Sequence, residues 1–227
     1  MTKRRANTDR LASERELIAQ GIAHIAGLDE AGRGPLAGPV VAAAVMFPEA
    51  WLRGEFPVAL AKLNDSKQLT EPQREEFFAF LTTRADVRFG VAQVDAAEID
   101  QINILQATHR AMNAALAQLA PPPAHVLVDG LRVKSLRWPQ TPLVKGDARS
   151  YSIAAASVIA KVTRDRLMDA LDAKHPGYGF AQHKGYGTEE HRDAVLRLGR
   201  CPQHRTLFLR KLFAGRVDPA QLDMFAS

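Results

Sequence analysis

A chain of 227 residues, 46% hydrophobic and 24% charged, can bury a core as one soluble domain or as a domain with a small appendage. Its formal net charge of +5 favours a polyanionic partner, because lysine and arginine displace counterions from phosphates. The lone cysteine, Cys201, excludes an internal disulfide and a cysteine-based zinc cluster and suits a reducing cytoplasm. No run approaches the roughly 20 apolar residues that span a bilayer, and no signal-peptide hydrophobic region opens the chain, so a membrane or exported protein is not expected.

Residues 9 to 20 (DRLASERELIAQ) read as a charged helix closing an N-terminal helical extension over residues 1 to 20. Two apolar runs follow, Ile22 to Leu28 and Leu36 to Phe47, and they read as strands joined by the turn Asp29-Glu30-Ala31-Gly32-Arg33-Gly34. Asp65-Ser66-Lys67 falls in a loop before a helix that Thr70 can cap, with Pro72 in its first turn and Phe77, Phe78 and Leu81 on its apolar face. Val87 to Val94 alternates like a strand. Residues 97 to 119 place Ile99, Ile102, Leu105, Met112, Leu116 and Leu119 at helical spacing and read as one helix, stopped by Pro121, Pro122 and Pro123.

Val126 to Val128 returns to the sheet and ends at Asp129, and Thr141 to Val144 is a short strand leading to Lys145-Gly146-Asp147. A long helix is expected from Ser150 to Leu171, where Ala154, Ala155, Ala156, Ser157 and Ala160 permit close packing, and another from Glu189 to Leu198. This alternation argues α/β with a mixed sheet. Periodicity leaves the strand order open.

The chemistry begins at Asp29 and Glu30, whose hard oxygens suit Mg²⁺ or Mn²⁺, beside Arg33, whose planar fork suits a phosphate. Taken alone, such a segment reads equally well as a strand end and a turn. The recurrence carries the argument: Asp29 and Glu30, Asp129 and Asp147 all follow apolar strand segments, and four gathered carboxylates repel unless cations neutralise them. A two-metal site for in-line displacement at phosphorus is the reading that follows. His175, His183 and His191 recur at a spacing too wide for one metal-binding helix, with no cysteine beside them, so zinc is not expected and their roles stay open.

DEAGRGPLAGPVVAAAV from Asp29, the DSK at 65–67, VLVDG ending at Gly130, KGDARSYSIAAASVIAKVTRD from Lys145 and GYGT from Gly185 together resemble type 2 ribonuclease H, the bacterial ribonuclease HII family. The resemblance spans about residues 22 to 207. It implies a ribonuclease H-like α/β fold, a five-stranded mixed sheet flanked by helices with a helical C-terminal part, in a catalytic domain over residues 21 to 210. It further implies cleavage of the RNA strand of RNA/DNA hybrids and incision 5′ of single ribonucleotides in duplex DNA, leaving 3′-hydroxyl and 5′-phosphate ends.

Carried over by position, Asp29, Glu30, Asp129 and Asp147 would be catalytic and hold two Mn²⁺ or Mg²⁺ ions. Gly32, Arg33 and Gly34 would surround the ribonucleotide's 2′-hydroxyl, the group that separates RNA from DNA at one position. Tyr186 would pack on the following sugar and Lys67 would lie near the phosphate backbone; Lys145 and Lys184 are weaker phosphate candidates. Without the resemblance, Tyr178 and Tyr186 read as loop anchors and the DSK loop as a solvated turn. The resemblance also favours a monomer.

Residues 211 to 227 read as a basic, flexible tail whose Gln221, Leu222, Met224 and Phe225 are similar to the pentapeptide by which bacterial repair proteins dock on the sliding clamp. The competing reading is a short amphipathic terminus folded on its own domain. Three other functions are less well supported. Ribonuclease HIII is expected to need an N-terminal substrate-binding domain for which some twenty residues leave no room; a non-catalytic hybrid-binding module has no need of all four acids; and GRGPLAG departs from the dinucleotide-binding GxGxxG, with Pro35 where a helix should open.

Overall fold

The computed structural model describes residues 9–214. In chain order the elements are α1 (Ala12–Ala19), β1 (Ile25–Ala31), β2 (Val40–Met46), α2 (Glu49–Arg53), α3 (Glu71–Thr83), β3 (Arg88–Val94), α4 (Ala96–Leu116), β4 (His125–Asp129), β5 (Gln140–Leu143), α5 (Tyr151–Lys174), α6 (Phe180–His183), α7 (Glu189–Leu198) and α8 (Thr206–Leu209). The strands form one five-stranded sheet in the order β3-β2-β1-β4-β5. β1, β4 and β5 run parallel, while β2 is antiparallel to both β1 and β3, giving a mixed sheet.

Alternation along β2 assigns the two faces. Val41, Ala43 and Val45 pack into a core with α5 and α3, whereas Val40, Ala42, Ala44 and Met46 join a second core with α4. A strand covered on both faces is apolar throughout, which accounts for the unbroken VVAAAVM. Close approach is built in: a Cβ on Gly27 of β1 would stand 2.2 Å from the backbone carbon of Ser152, so only glycine lets α5 lie on the central strand.

Three sequence expectations are corrected. β1 continues through Ala31, so Asp29 and Glu30 lie within the strand, paired with Ala43 and Ala42, and are not part of the turn. β2 starts at Val40 rather than Leu36, because the Leu36 N–H donates to Gly185 O (2.8 Å), the Gly38 N–H donates to Gln203 O (2.8 Å) and Gly38 takes a φ of 83°. The expected single helix over 97–119 breaks at Asn103 (φ 66°, ψ 162°), whose Oδ1 accepts from the N–H groups of Leu105 (3.0 Å) and Gln106 (3.1 Å) and so caps a new helical start.

Other boundaries agree closely. Thr70 opens α3 with its N–H donating to Gln73 Oε1 (2.9 Å), and Ser150 caps α5 by accepting from the Ile153 N–H (3.2 Å). α1 is tied to the rest of the fold through Leu11 and Leu17 in the α5-side core and through Glu14, whose Oε1 accepts from the Ser150 (2.6 Å) and Ser152 (2.8 Å) hydroxyls. Among the described residues no helix is long and apolar enough to cross a membrane. Gln221, Leu222, Met224 and Phe225 lie outside the described residues.

Candidate active site

Parallel strands align their C-terminal ends, and open α/β sheets place ligands there. Glu30 and Asp29 come from the end of β1, Asp129 is the last residue of its parallel neighbour β4, and Asp147 sits in a 3₁₀ turn (Gly146–Ala148) just past β5. That turn is fastened to the strand beside it, because the Gly146 N–H donates to Asp129 Oδ1 (2.7 Å). Arg10 holds it from the other side, donating through Nη2 to Asp147 O (2.7 Å) with its guanidinium over the Tyr151 ring (4.3 Å to the centroid).

All nine residues expected at the chemistry line one cavity of about 470 Å³: Asp29, Glu30, Gly32, Arg33, Gly34, Lys67, Asp129, Asp147 and Tyr186. Ser66, Ser157 and Lys161 line it too and were not anticipated; the latter two come from α5. A second cavity of about 680 Å³ shares Glu30, Arg33 and Asp129 and adds His109 and the basic Arg132 and Lys134.

The carboxylates oppose one another's ionisation. Burial first, then Glu30 and Asp129, hold Asp29 well above the usual aspartate range, although its Oδ1 accepts from the Glu30 N–H (2.7 Å). Burial likewise raises Glu30, against the pull of Arg33, whose Nη1 stands 3.1 Å from Glu30 Oε1. Asp147 is raised by burial and then by Asp129 and Asp65, with Lys67 opposing. Among the described residues no three His, Cys, Asp or Glu side chains are already drawn into a metal-ligand set. Three of the carboxylates accept backbone N–H groups, Asp29 from Glu30, Asp129 from Gly146 and Asp147 from Ala148 (2.8 Å), and the fourth, Glu30, is paired with Arg33.

The glycines of the turn differ in what they admit. Gly32 has a φ of 94°, and a Cβ there would lie 2.1 Å from Arg164 Nε and 2.7 Å from Pro39 O, so its space is filled from inside the protein. Gly34 has nothing within 4 Å of such a Cβ and opens to the cavity. Tyr186 is 42% exposed at the cavity wall, which places it apart from Tyr178, whose hydroxyl donates to Gly199 O (3.0 Å) as a loop anchor.

The histidines acquire partners. His183 donates from Nε2 to Tyr178 O (2.7 Å), accepts the Gly185 N–H at Nδ1 (3.2 Å) and stacks on His191 with centroids 4.2 Å apart. His191 is buried, and its Nδ1 donates to Tyr186 O (2.9 Å), which leaves Nε2 to accept from His204 Nε2 (3.1 Å). Burial holds His191 neutral, with its pKa lowered to about 4. His175 ends α5, its N–H donating to Leu171 O (2.9 Å), outside this group. Lys184 is paired with Asp169 rather than aimed at the cavity, and Lys145 is an exposed residue in the left-handed region (φ 56°).

Comparison with known proteins gives the same class. Residues 26–214 match the family described as ribonuclease HII. Over 196 residues the chain is 56% identical to the ribonuclease HII of Geobacillus kaustophilus, covering 86% of this chain and 72% of that one. Its structure is similar to that of ribonuclease H2 from Pyrococcus horikoshii (TM-score 0.67, 29% identity, 83% of this chain and 96% of that one). It is also similar to the structure of the PCNA:RNase HII complex from Archaeoglobus fulgidus (TM-score 0.64, 27% identity, 81% and 94%). The class is therefore a ribonuclease H-type endoribonuclease, acting on RNA/DNA hybrids. Within that class, the chain belongs to the ribonuclease HII family.

Proposed function

We propose that this enzyme also incises duplex DNA on the 5′ side of a single embedded ribonucleotide, with Asp29, Glu30, Asp129 and Asp147 holding two divalent ions, Mn²⁺ or Mg²⁺. The observation that carries the reading is the meeting, in one cavity, of four carboxylates with the Gly32-Arg33-Gly34 turn and Tyr186. The donors fit such ions: all four are hard oxygen ligands, and three carry raised pKa values that a bound cation would bring down. Bound divalent ions would supply a nucleophilic water at neutral pH and stabilise charge on the leaving 3′ oxygen.

The chain's own residues do the rest. The open space at Gly34 admits the ribose, and the cavity wall beside it carries Tyr186 for the next sugar. Arg33 pairs with Glu30 and has an exposed guanidinium that can turn to a phosphate. Lys67 and Lys161 add positive charge at the wall, and Arg132 and Lys134 extend it along the neighbouring cavity. The products are 3′-hydroxyl and 5′-phosphate ends.

The test is incubation of a DNA duplex carrying one ribonucleotide with wild-type protein and Asp147→Asn, in Mg²⁺ and in Mn²⁺. A single incision 5′ of the ribonucleotide by the wild type is expected, with loss in the variant on the order of 1,000-fold. A duplex left intact by the wild type under both metals would overturn the reading. For the tail, the complex of the Archaeoglobus fulgidus protein with PCNA supports a sliding clamp as the partner of Gln221, Leu222, Met224 and Phe225.

A further inference from the structure

Two arginines lie beneath the reading turn, and the reaction described so far gives neither a task. Arg164 of α5 is 1% exposed and Arg205, just before α8, is 0% exposed. Among the described residues neither stands in an ion pair. A buried guanidinium without a counter-ion is costly unless its N–H groups find acceptors. Here the acceptors are backbone carbonyls, almost all from one segment.

Arg205 donates through Nη2 to Gly32 O (2.6 Å) and Gly38 O (2.8 Å), through Nη1 to Arg33 O (3.1 Å) and Pro35 O (2.9 Å), and through Nε to Gly38 O (3.0 Å). Arg164 donates through Nε to Pro39 O (3.0 Å) and through Nη2 to Ala37 O (3.2 Å). Six carbonyls between Gly32 and Pro39 are thus bound by two side chains. Arg164 also reaches the other reading element: its Nη1 donates to Lys184 O (2.9 Å), and its guanidinium carbon lies 5.8 Å from the centroid of the Tyr186 ring. It starts from α5, the helix packed on β1, so one side chain links the carboxylate-bearing strand's partner helix to both reading elements. The missing Cβ of Gly32 makes room for this guanidinium.

We propose that Arg164 and Arg205 are positioning residues that hold the Gly32–Gly34 turn and Tyr186 in register with the carboxylates, and thereby set how well a lone ribonucleotide followed by a deoxyribonucleotide is cut relative to a continuous RNA strand. The proposal rests on reading that turn and Tyr186 as the ribose-sensing groups. Register matters because a shift of about 1 Å in a bound group can cost on the order of 100-fold in rate. Lysine keeps the charge but loses the planar fork, so it cannot bind the same set of carbonyls.

The test uses the full chain with Arg164→Lys and Arg205→Lys, assayed on a duplex with one ribonucleotide and on an RNA/DNA hybrid. Expected for each is a fall in kcat on the single ribonucleotide of roughly 30- to 100-fold, KM changed less than about threefold, and hybrid cleavage reduced by less than about tenfold. Amide exchange is expected to quicken in residues 32–39 and 184–188 while β1 and β4 stay protected, a local loosening that is read out even if catalysis is lost altogether. Wild-type incision by both variants, or equal loss on both substrates with exchange raised throughout the sheet, would overturn the proposal. Tyr186→Ala separates the two levels: a substrate ratio it leaves unchanged would overturn the ribose-sensing reading and the proposal together. A ratio changed by Tyr186→Ala but by neither lysine variant would overturn the positioning role alone.

Discussion

At the ends of β1, β4 and β5, carboxylates are crowded so that burial and their neighbours push Asp29, Glu30 and Asp147 upward. A few residues along the chain, the segment from Gly32 to Pro39 is in the opposite condition, with six carbonyls bound by two buried guanidinium groups. The first region gathers like charges that oppose one another's ionisation, and the second has its carbonyls satisfied from within the protein. Ligand-dependent chemistry and ligand recognition therefore place different demands on stability. A carboxyl whose folded-state pKa exceeds its unfolded value favours the fold most when protonated, below the unfolded value, and that contribution is lost as pH rises through the folded value. For Asp29 that contribution is therefore smaller at neutral pH than in acid.

After removal of Asp147 itself, the largest expected effect strikes the carboxylate region through its protons. As pH falls into the raised range of Asp29, Glu30 and Asp147, hybrid cleavage at limiting Mn²⁺ is expected to drop at least about 100-fold, with a slope steeper than one proton, since metal ligands must be deprotonated. A shallow, one-proton profile would mean that the carboxylates do not titrate as a group.

Smaller effects probe the turn held by the arginines and the loop that carries Tyr186. Tyr186→Ala is expected to lower single-ribonucleotide incision about tenfold more than hybrid cleavage, compared as kcat/KM, and equal loss on both would remove its sensing role. His191→Leu deletes the donor to Tyr186 O and should reproduce roughly a threefold share of that selectivity loss, with His191→Asn, which retains a donor near Nδ1, recovering part of it. The smallest effect is at the tail: deleting residues 221–227 should leave oligonucleotide cleavage within about twofold while abolishing capture by the sliding clamp. Capture that survives the deletion would exclude the tail as the docking peptide.

The two regions were not equally legible in the sequence. Asp29, Glu30, Asp129 and Asp147 announce themselves because acids after apolar runs are conspicuous, and parallel strands bring them together. The supports of the turn are harder to see. Arg164 carries one signal, since it falls with Ala160 and Met168 at four-residue spacing on the buried face of α5, where a charge is out of place. Arg205 follows an irregular segment with no period, so its burial depends on contacts with residues more than a hundred and fifty positions away. The same long-range logic explains the late start of β2, where Leu36 and Gly38 are recruited by the C-terminal part, and Asn103 broke an apolar period that looked continuous because its side chain supplies its own cap.

That the crowded carboxylates form a metal site, and that without the ion they weaken the fold, is tested most directly by thermal unfolding of wild type and Asp29→Asn with and without Mn²⁺. Without the ion, the variant is expected to melt above the wild type at neutral pH, because the amide removes a carboxyl whose ionisation burial and its neighbours oppose. With Mn²⁺ the wild type should gain at least as much, and the variant little. A variant that melts below the metal-free wild type, or a wild type whose unfolding ignores Mn²⁺, would contradict the account.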